Sequence, residues 1–203
     1  MTRSPLLRQI EFLREIDRLK NVIRQSPLLD RSRKENSAEH SWHLAMYALL
    51  LHEYAAAPVS APRVIQMLLI HDIDEVDVGD TPIHKVSSGA SQTELEAGAA
   101  VRLFGMIPGR LGETLLALWR EFELGQSDDA KFAKALDRVQ PLLVNISTGG
   151  GTWTESDVTL EQVLQRYGPT IARGSPTLWN ACEHWVREYF SARSGGLPIA
   201  SDA

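Results

Sequence analysis

Apolar residues recur every three or four positions along most of the chain. Leu6, Ile10, Leu13 and Ile16, followed by Leu19 and Ile23, form one helical stripe that Pro27 limits. Asn36 and Glu39 match a capping box, so a second helix is predicted from there to about Ala57. Ser60 and Pro62 open a third helix carrying Val64, Leu68 and Leu69, and its end meets the acidic run HDIDEVDVGD. Gly79 to Gly89 reads as a loop. A second capping-box match, Ser91 and Glu94, precedes the helix ELEAGAAVRLF, and Pro108 opens a segment running through Trp119 and Phe122. Ser127 then starts DDAKFAKALDRVQPLLVNIS, with acids in its first turn, Phe132, Leu136 and Val139 at helical spacing, and a kink expected at Pro141. Beyond GGGTW, Thr159 to Tyr167 reads as a short helix ending at Gly168-Pro169, and Ser175-Pro176 starts the last one. C-terminal helices are expected over 155–192 and a mobile tail over 194–203. No useful stretch alternates with period two and no repeat is visible, so the fold expected is all-α, a single helical-bundle domain over 1–203.

Composition narrows the class. With 203 residues, 43% hydrophobic and 23% charged, the chain can bury one core without help. The longest apolar run, Leu44 to Leu51, is too short for a bilayer, and the N-terminus interleaves charges with its apolar residues. A cytoplasmic protein without a membrane span is expected. A net charge of −5 argues against a broad face for nucleic-acid polymers and leaves room for a pocket that takes a small phosphate ester. The single cysteine, Cys182, sits among apolar neighbours and reads as a packing residue.

The residues suited to chemistry are His40 on the second helix, the His71-Asp72 pair at the end of the third, and Asp137 on a later helix. Imidazole and carboxylate together suit zinc, manganese, cobalt or iron, and the absence of cysteine ligands disfavours a structural zinc finger. Spacing alone is weak support in a chain with six histidines. The acidic run Asp72, Asp74, Glu75, Asp77 and Asp80 strengthens it, because crowded like charges repel unless they are solvated or a cation neutralises them.

Taken together, RKENSAEHSWHLA, LLIHDIDEVDVGD and FAKALDRVQPLL resemble the HD-domain superfamily of metal-dependent phosphohydrolases, in particular its bacterial 5'-deoxynucleotidase branch, over roughly Leu13 to Val144. The resemblance implies that His40, His71, Asp72 and Asp137 ligate one divalent metal: manganese, cobalt, zinc or iron, with magnesium also admitted. It implies Glu75 as a catalytic acid or base, Asp80 as a contact to the nucleoside or its water, and Arg24, near the end of the first helix, as a phosphate contact. It also departs from the branch after Arg24, where Gln25 and Ser26 stand in place of an aromatic residue. The metal set is untouched by that departure. Relatives of this kind are often dimeric, and Trp179, Trp185, Tyr189 and Phe190 near the C-terminus suggest apolar surface, so a homodimer is expected.

His84 and Lys85, on the predicted loop, are weaker substrate-binding candidates. His43 and His52 read as packing or surface residues, and His184 as part of a scaffold helix. Four tryptophans read as core or interface area, whereas Trp153, following Gly149-Gly150-Gly151, is a candidate cover for a pocket. The function expected is release of phosphate from a nucleoside 5'-monophosphate. The alternatives are a nucleoside triphosphate hydrolase on the same scaffold and a non-catalytic nucleotide or metal sensor.

Overall fold

The computed structural model describes residues 4–81 and 90–194. His84 and Lys85 therefore lie outside the described residues, as does most of the expected tail. Helix α1 (Pro5–Ile16) starts where Ser4 Oγ accepts from the Leu7 N–H and Pro5 takes the first helical position. The helix does not continue to Ile23. A 3-10 turn (Asp17–Asn21) follows, and then a small antiparallel ribbon, β1 (Ile23–Pro27) with β2 (Lys34–Asn36), pairing Ile23 with Asn36 and Pro27 with Lys34. Arg24 is thus a strand residue, not a helix-end residue. No alternating pattern announces these strands, because IRQSP holds one large apolar residue and KEN none; tertiary placement selects their conformation.

Helix α2 (Ser37–Leu51) begins at the expected capping box, in which Glu39 N–H donates to Asn36 Oδ1 at 2.9 Å and Asn36 N–H donates to Glu39 Oε1 at 2.7 Å. Losing one such cap typically costs about 1 kcal/mol. Asn36→Ala should therefore lower the denaturation midpoint by an amount equivalent to about 1 kcal/mol without changing the slope, measured by urea titration.

Helix α3 (Ala61–Ile70) ends at His71, and the acidic run after it forms a further short helix, α4 (Glu75–Val78). Gly79 closes that helix with φ 76°, a conformation that strains residues bearing a β-carbon, and its N–H donates to the Glu75 carbonyl. Helix α5 (Ala90–Gly105) already includes Ser91. Helices α6 (Arg110–Leu124) and α7 (Asp128–Ser147) follow, the latter capped by Ser127 as expected and running through Pro141.

Helix α7 is the axis of the molecule, in contact with α2, α3 and α6 and with two helices nearer the C-terminus, α9 (Leu160–Gly174) and α10 (Pro176–Ser194). Its buried Phe132, Ala133 and Leu136 join Leu44, Val64 and Leu68 in one cluster, while Val139 and Leu142 join Val163, Tyr167 and Ile171 in another. Helix α9 does not stop at Gly168-Pro169. The bare Gly168 lets the Trp179 ring of α10 approach where a β-carbon would come within 2.8 Å, and Tyr167 and Ile171 on either side are buried. Packing outweighs the hydrogen bond that proline cannot make.

Trp153 is a buried core residue, not an exposed loop tip. The glycine triplet leads into a short helix, α8 (Gly151–Glu155), and Trp153 is fully buried between Tyr167, Tyr189 and Phe190. Of the C-terminal aromatic residues only Trp185 is well exposed; Tyr189 is buried, and Trp179 and Phe190 pack against the same cluster. No helix among the described residues is long and apolar enough to cross a membrane.

Cys182 is buried in that cluster too, and burial pushes its thiol pKa up to about 12. A thiol so protonated and covered is a poor nucleophile. At pH 8 the native protein should leave an aromatic disulfide reagent uncoloured, and in denaturant it should release one equivalent of chromophore. Rapid reaction of the native protein would contradict the buried placement.

Candidate metal centre

Four segments far apart in sequence deliver the polar residues to one place. The capping box fixes where α2 starts and so where His40, in its first turns, projects; the imidazole is fully buried. His71 caps the end of α3, and the Trp119 indole pins the turn after it by donating to the His71 carbonyl and to Asp74 Oδ1, both at 3.0 Å. Asp137 enters from the middle of α7. His40, His71 and Asp72 offer ligand atoms that all lie within 4.8 Å of one another. Asp137 Oδ1 lies 3.3 Å from His40 Nε2 and 3.6 Å from His71 Nε2.

The protonation pattern suits a cation. His71 Nδ1 lies 2.8 Å from the Leu68 carbonyl, which can only accept, so Nδ1 carries the hydrogen and Nε2 faces the cluster. That Nε2 is buried, 3.0 Å from Asp72 Oδ1 and 3.6 Å from Asp137 Oδ1, without aligned hydrogen-bond geometry to either. A buried imidazole nitrogen turned towards two carboxylates is the donor set that a divalent cation takes, and metal ligation would satisfy all three groups.

The surrounding pocket is lined by seven carboxylates, on Asp72, Asp74, Glu75, Asp80, Glu96, Glu123 and Asp137, against Arg24, Lys134 and Arg138. Burial, then repulsion from Asp72, pushes Glu75 up to about 9 and Asp74 to about 7, and burial also raises Asp80. Burial likewise works against charge on Asp72, yet the neighbouring His71 and Arg24 outweigh it and bring its pKa down to about 2. In Asp137 the opposition of burial is overcome by Arg138, His40 and His71, which hold it well below the carboxylate range. His71 is raised well above its ordinary value, because Asp72 and Asp137 more than offset its burial. Without a cation, protons on His71, Asp74 and Glu75 relieve the excess of negative charge. A divalent ion would take over that task.

The ribbon supplies Arg24. Its Nη1 lies 2.7 Å from Asp72 Oδ2 and 3.5 Å from both Glu75 Oε1 and Asp80 Oδ1. Burial opposes its charge, but these acids together raise its pKa. The turn at Gly79 is what returns Asp80 to this cluster.

The structure thus brings together His40, His71, Asp72, Asp137, Glu75, Asp80 and Arg24, while His84 and Lys85 fall outside the described residues. It adds Glu35 and Gln140, buried behind His40, and Lys134 and Arg138, which line the pocket wall on α7. None of these four was singled out in the sequence. Lys134 and Arg138 flank Asp137 closely enough that helical spacing could have found them. Glu35 lies on a strand with no sequence signature. His43 stacks edge-on against Tyr47 at 4.9 Å and approaches Gln140, in keeping with a packing role.

Residues 16–179 match the model of an HD domain. A solved structure described as a predicted metal-dependent phosphohydrolase from Magnetospirillum magnetotacticum MS-1 superposes with a TM-score of 0.86 at 47% identity, covering 97% of this chain and 100% of that one. A conserved hypothetical protein from Pyrococcus furiosus, 19% identical, shares the fold with a TM-score of 0.60, covering 88% of this chain and 99% of that one. The 5'-deoxynucleotidase Ent638_2835 of Enterobacter sp. (strain 638) is 31% identical over 170 residues, 77% of this chain and 83% of its own length. The 5'-deoxynucleotidase HDDC2 of Danio rerio is 28% identical over 136 residues, and the match spans 66% of each chain. By sequence and by fold, the chain belongs to the HD-domain family, where its relatives are named as phosphohydrolases and deoxynucleotidases.

Proposed function

We propose that the protein is a metal-dependent phosphohydrolase that releases phosphate from nucleoside 5'-monophosphates. The observation that carries the reading is the convergence of two buried imidazoles with Asp72 and Asp137, the Nε2 atoms of both rings lying within 3.6 Å of Asp137 Oδ1. The names of the relatives support the nucleotide substrate.

His40, His71, Asp72 and Asp137 would hold one divalent cation. When bound, such an ion supplies a water whose pKa falls from about 15.7 towards 7, and charge neutralisation for the phosphoryl oxygens. Glu75 manages the proton of the attacking water. Its Oε2 is buried with no hydrogen-bond partner, while Oε1 is steadied by Arg24, so one oxygen stays available for transfer. Asp80, largely buried beside Arg24, orients the nucleoside side or its water. Arg24 holds the three acids in register and offers positive charge to the phosphate, and Arg138 and Lys134 add two cations at the pocket wall.

A screen of nucleoside monophosphates and triphosphates with added manganese, cobalt, magnesium or zinc tests the reading. Inorganic phosphate from monophosphates supports it. Pyrophosphate or triphosphate as product points to the triphosphate hydrolase instead, and nucleotide binding without turnover points to a sensor. The protein is also proposed to act as a cytoplasmic homodimer. Trp42, Met46, Leu49 and Leu50, all exposed along α2, add apolar surface in support. Light scattering giving the mass of one chain would reject the dimer.

A further inference from the structure

We infer that Glu35 is a positioning residue for this site, its Oε1 serving as the shared acceptor that orients both His40 and Arg24. The inference rests on the cation site proposed above. Glu35 lies on β2 and is only 3% exposed, and a carboxylate buried to that extent persists where donors surround it. Its Oε1 is 3.1 Å from His40 Nδ1 and 3.8 Å from Arg24 Nε. All three atoms are buried, and none has a hydrogen-bond partner meeting full directional geometry. Two N–H groups therefore face one oxygen, the imidazole at hydrogen-bond distance and the guanidinium at ion-pair distance.

The other oxygen is held in place. Gln140 Nε2 donates to Glu35 Oε2 at 3.1 Å. Gln140 lies one helical turn beyond Asp137 on α7, so that helix flanks His40 on both sides: Asp137 Oδ1 lies 3.3 Å from Nε2, and Gln140 reaches Nδ1 through Glu35. A hydrogen on Nδ1 directed at a carboxylate leaves the Nε2 lone pair facing His71, Asp72 and Asp137, and the adjacent negative charge makes that lone pair a stronger donor to a metal. The ribbon gives the same oxygen to Arg24 on the paired strand. Cation ligation and guanidinium placement thus share one anchor.

The test uses the full chain freed of metal and titrated with Co²⁺ by calorimetry, with Glu35→Ala and Glu35→Gln beside the wild type. Loss of such a supporting carboxylate typically weakens metal affinity about 10- to 100-fold, so Glu35→Ala should fall in that range. Glu35→Gln, which keeps an acceptor but not the charge, should fall between it and the wild type. A second readout needs no variant: in the Zn²⁺-loaded wild type with ¹⁵N-labelled histidine, His40 should carry its hydrogen on Nδ1. Wild-type Co²⁺ affinity in whichever variants fold, or a His40 hydrogen on Nε2, would overturn the inference. A wild type that binds neither Co²⁺ nor Zn²⁺ would instead refute the cation site itself.

Discussion

Asp72→Ala should abolish both bound metal and phosphate release while leaving the helix content near that of the wild type. Asp72 lies in the turn after α3, outside every helix, so its removal breaks no helical hydrogen-bond ladder. What it removes is a carboxylate held at a pKa of about 2, 3.0 Å from His71 Nε2 and the closest carboxylate to Arg24. Asp80 still lies 3.5 Å from the guanidinium, so the arginine keeps a carboxylate beside it. Metal analysis of the purified variant, with circular dichroism alongside, decides the matter. Full metal occupancy would show that the ligand set is wrong. Proton competition provides a companion expectation. His71 must lose its proton to ligate, and its raised pKa means that cation affinity should climb as pH rises through that range and fall below it.

Glu75→Gln separates chemistry from binding. In the cation-free molecule Glu75 is pushed up to about 9, so at neutral pH it already carries a proton, and glutamine closely matches that form in shape and charge. Stability without metal should therefore change little. Metal binding should persist, because Glu75 is not among the proposed ligands. Turnover should not: a cation near Asp72 offsets the repulsion that raises Glu75, freeing it to accept a proton, and glutamine cannot. General acid-base assistance is worth about 10²- to 10⁴-fold, so kcat should drop by that order with KM nearly unchanged. Near-wild-type kcat in the metal-loaded variant would remove Glu75 from the mechanism and direct attention to Asp80.

Residues whose chemistry is rare were legible before any coordinates. His40, His71-Asp72 and Asp137 stood out through the acidic run after His71 and the resemblance of the three motifs to the HD-domain superfamily, and these residues do converge. Helices with strong apolar period and good caps, such as α2 and α7, were equally plain. What escaped was set by contacts distant in sequence. The β1–β2 ribbon has no alternating side chains, so nothing local announced that Arg24 and Glu35 would meet. Pro169 reads as a stop, yet α9 passes through it because Gly168 accommodates Trp179. Gly149-Gly150-Gly151 suggested an open loop, whereas the chain uses it to drive Trp153 into the core.

That α2, the end of α3 and α7 each give side chains to one centre bears on the lifetime of the folded chain. His40 and Asp137 are 97 residues apart, so the full ligand set exists only after these helices have docked. A cation held there would engage the native arrangement and little else. An interaction formed so late slows unfolding far more than it speeds folding. At a free concentration 100-fold above its Kd, such an ion adds about 2.7 kcal/mol of stability. Proteolytic lifetime in the cell would then track metal supply, with starved molecules opening and being degraded first.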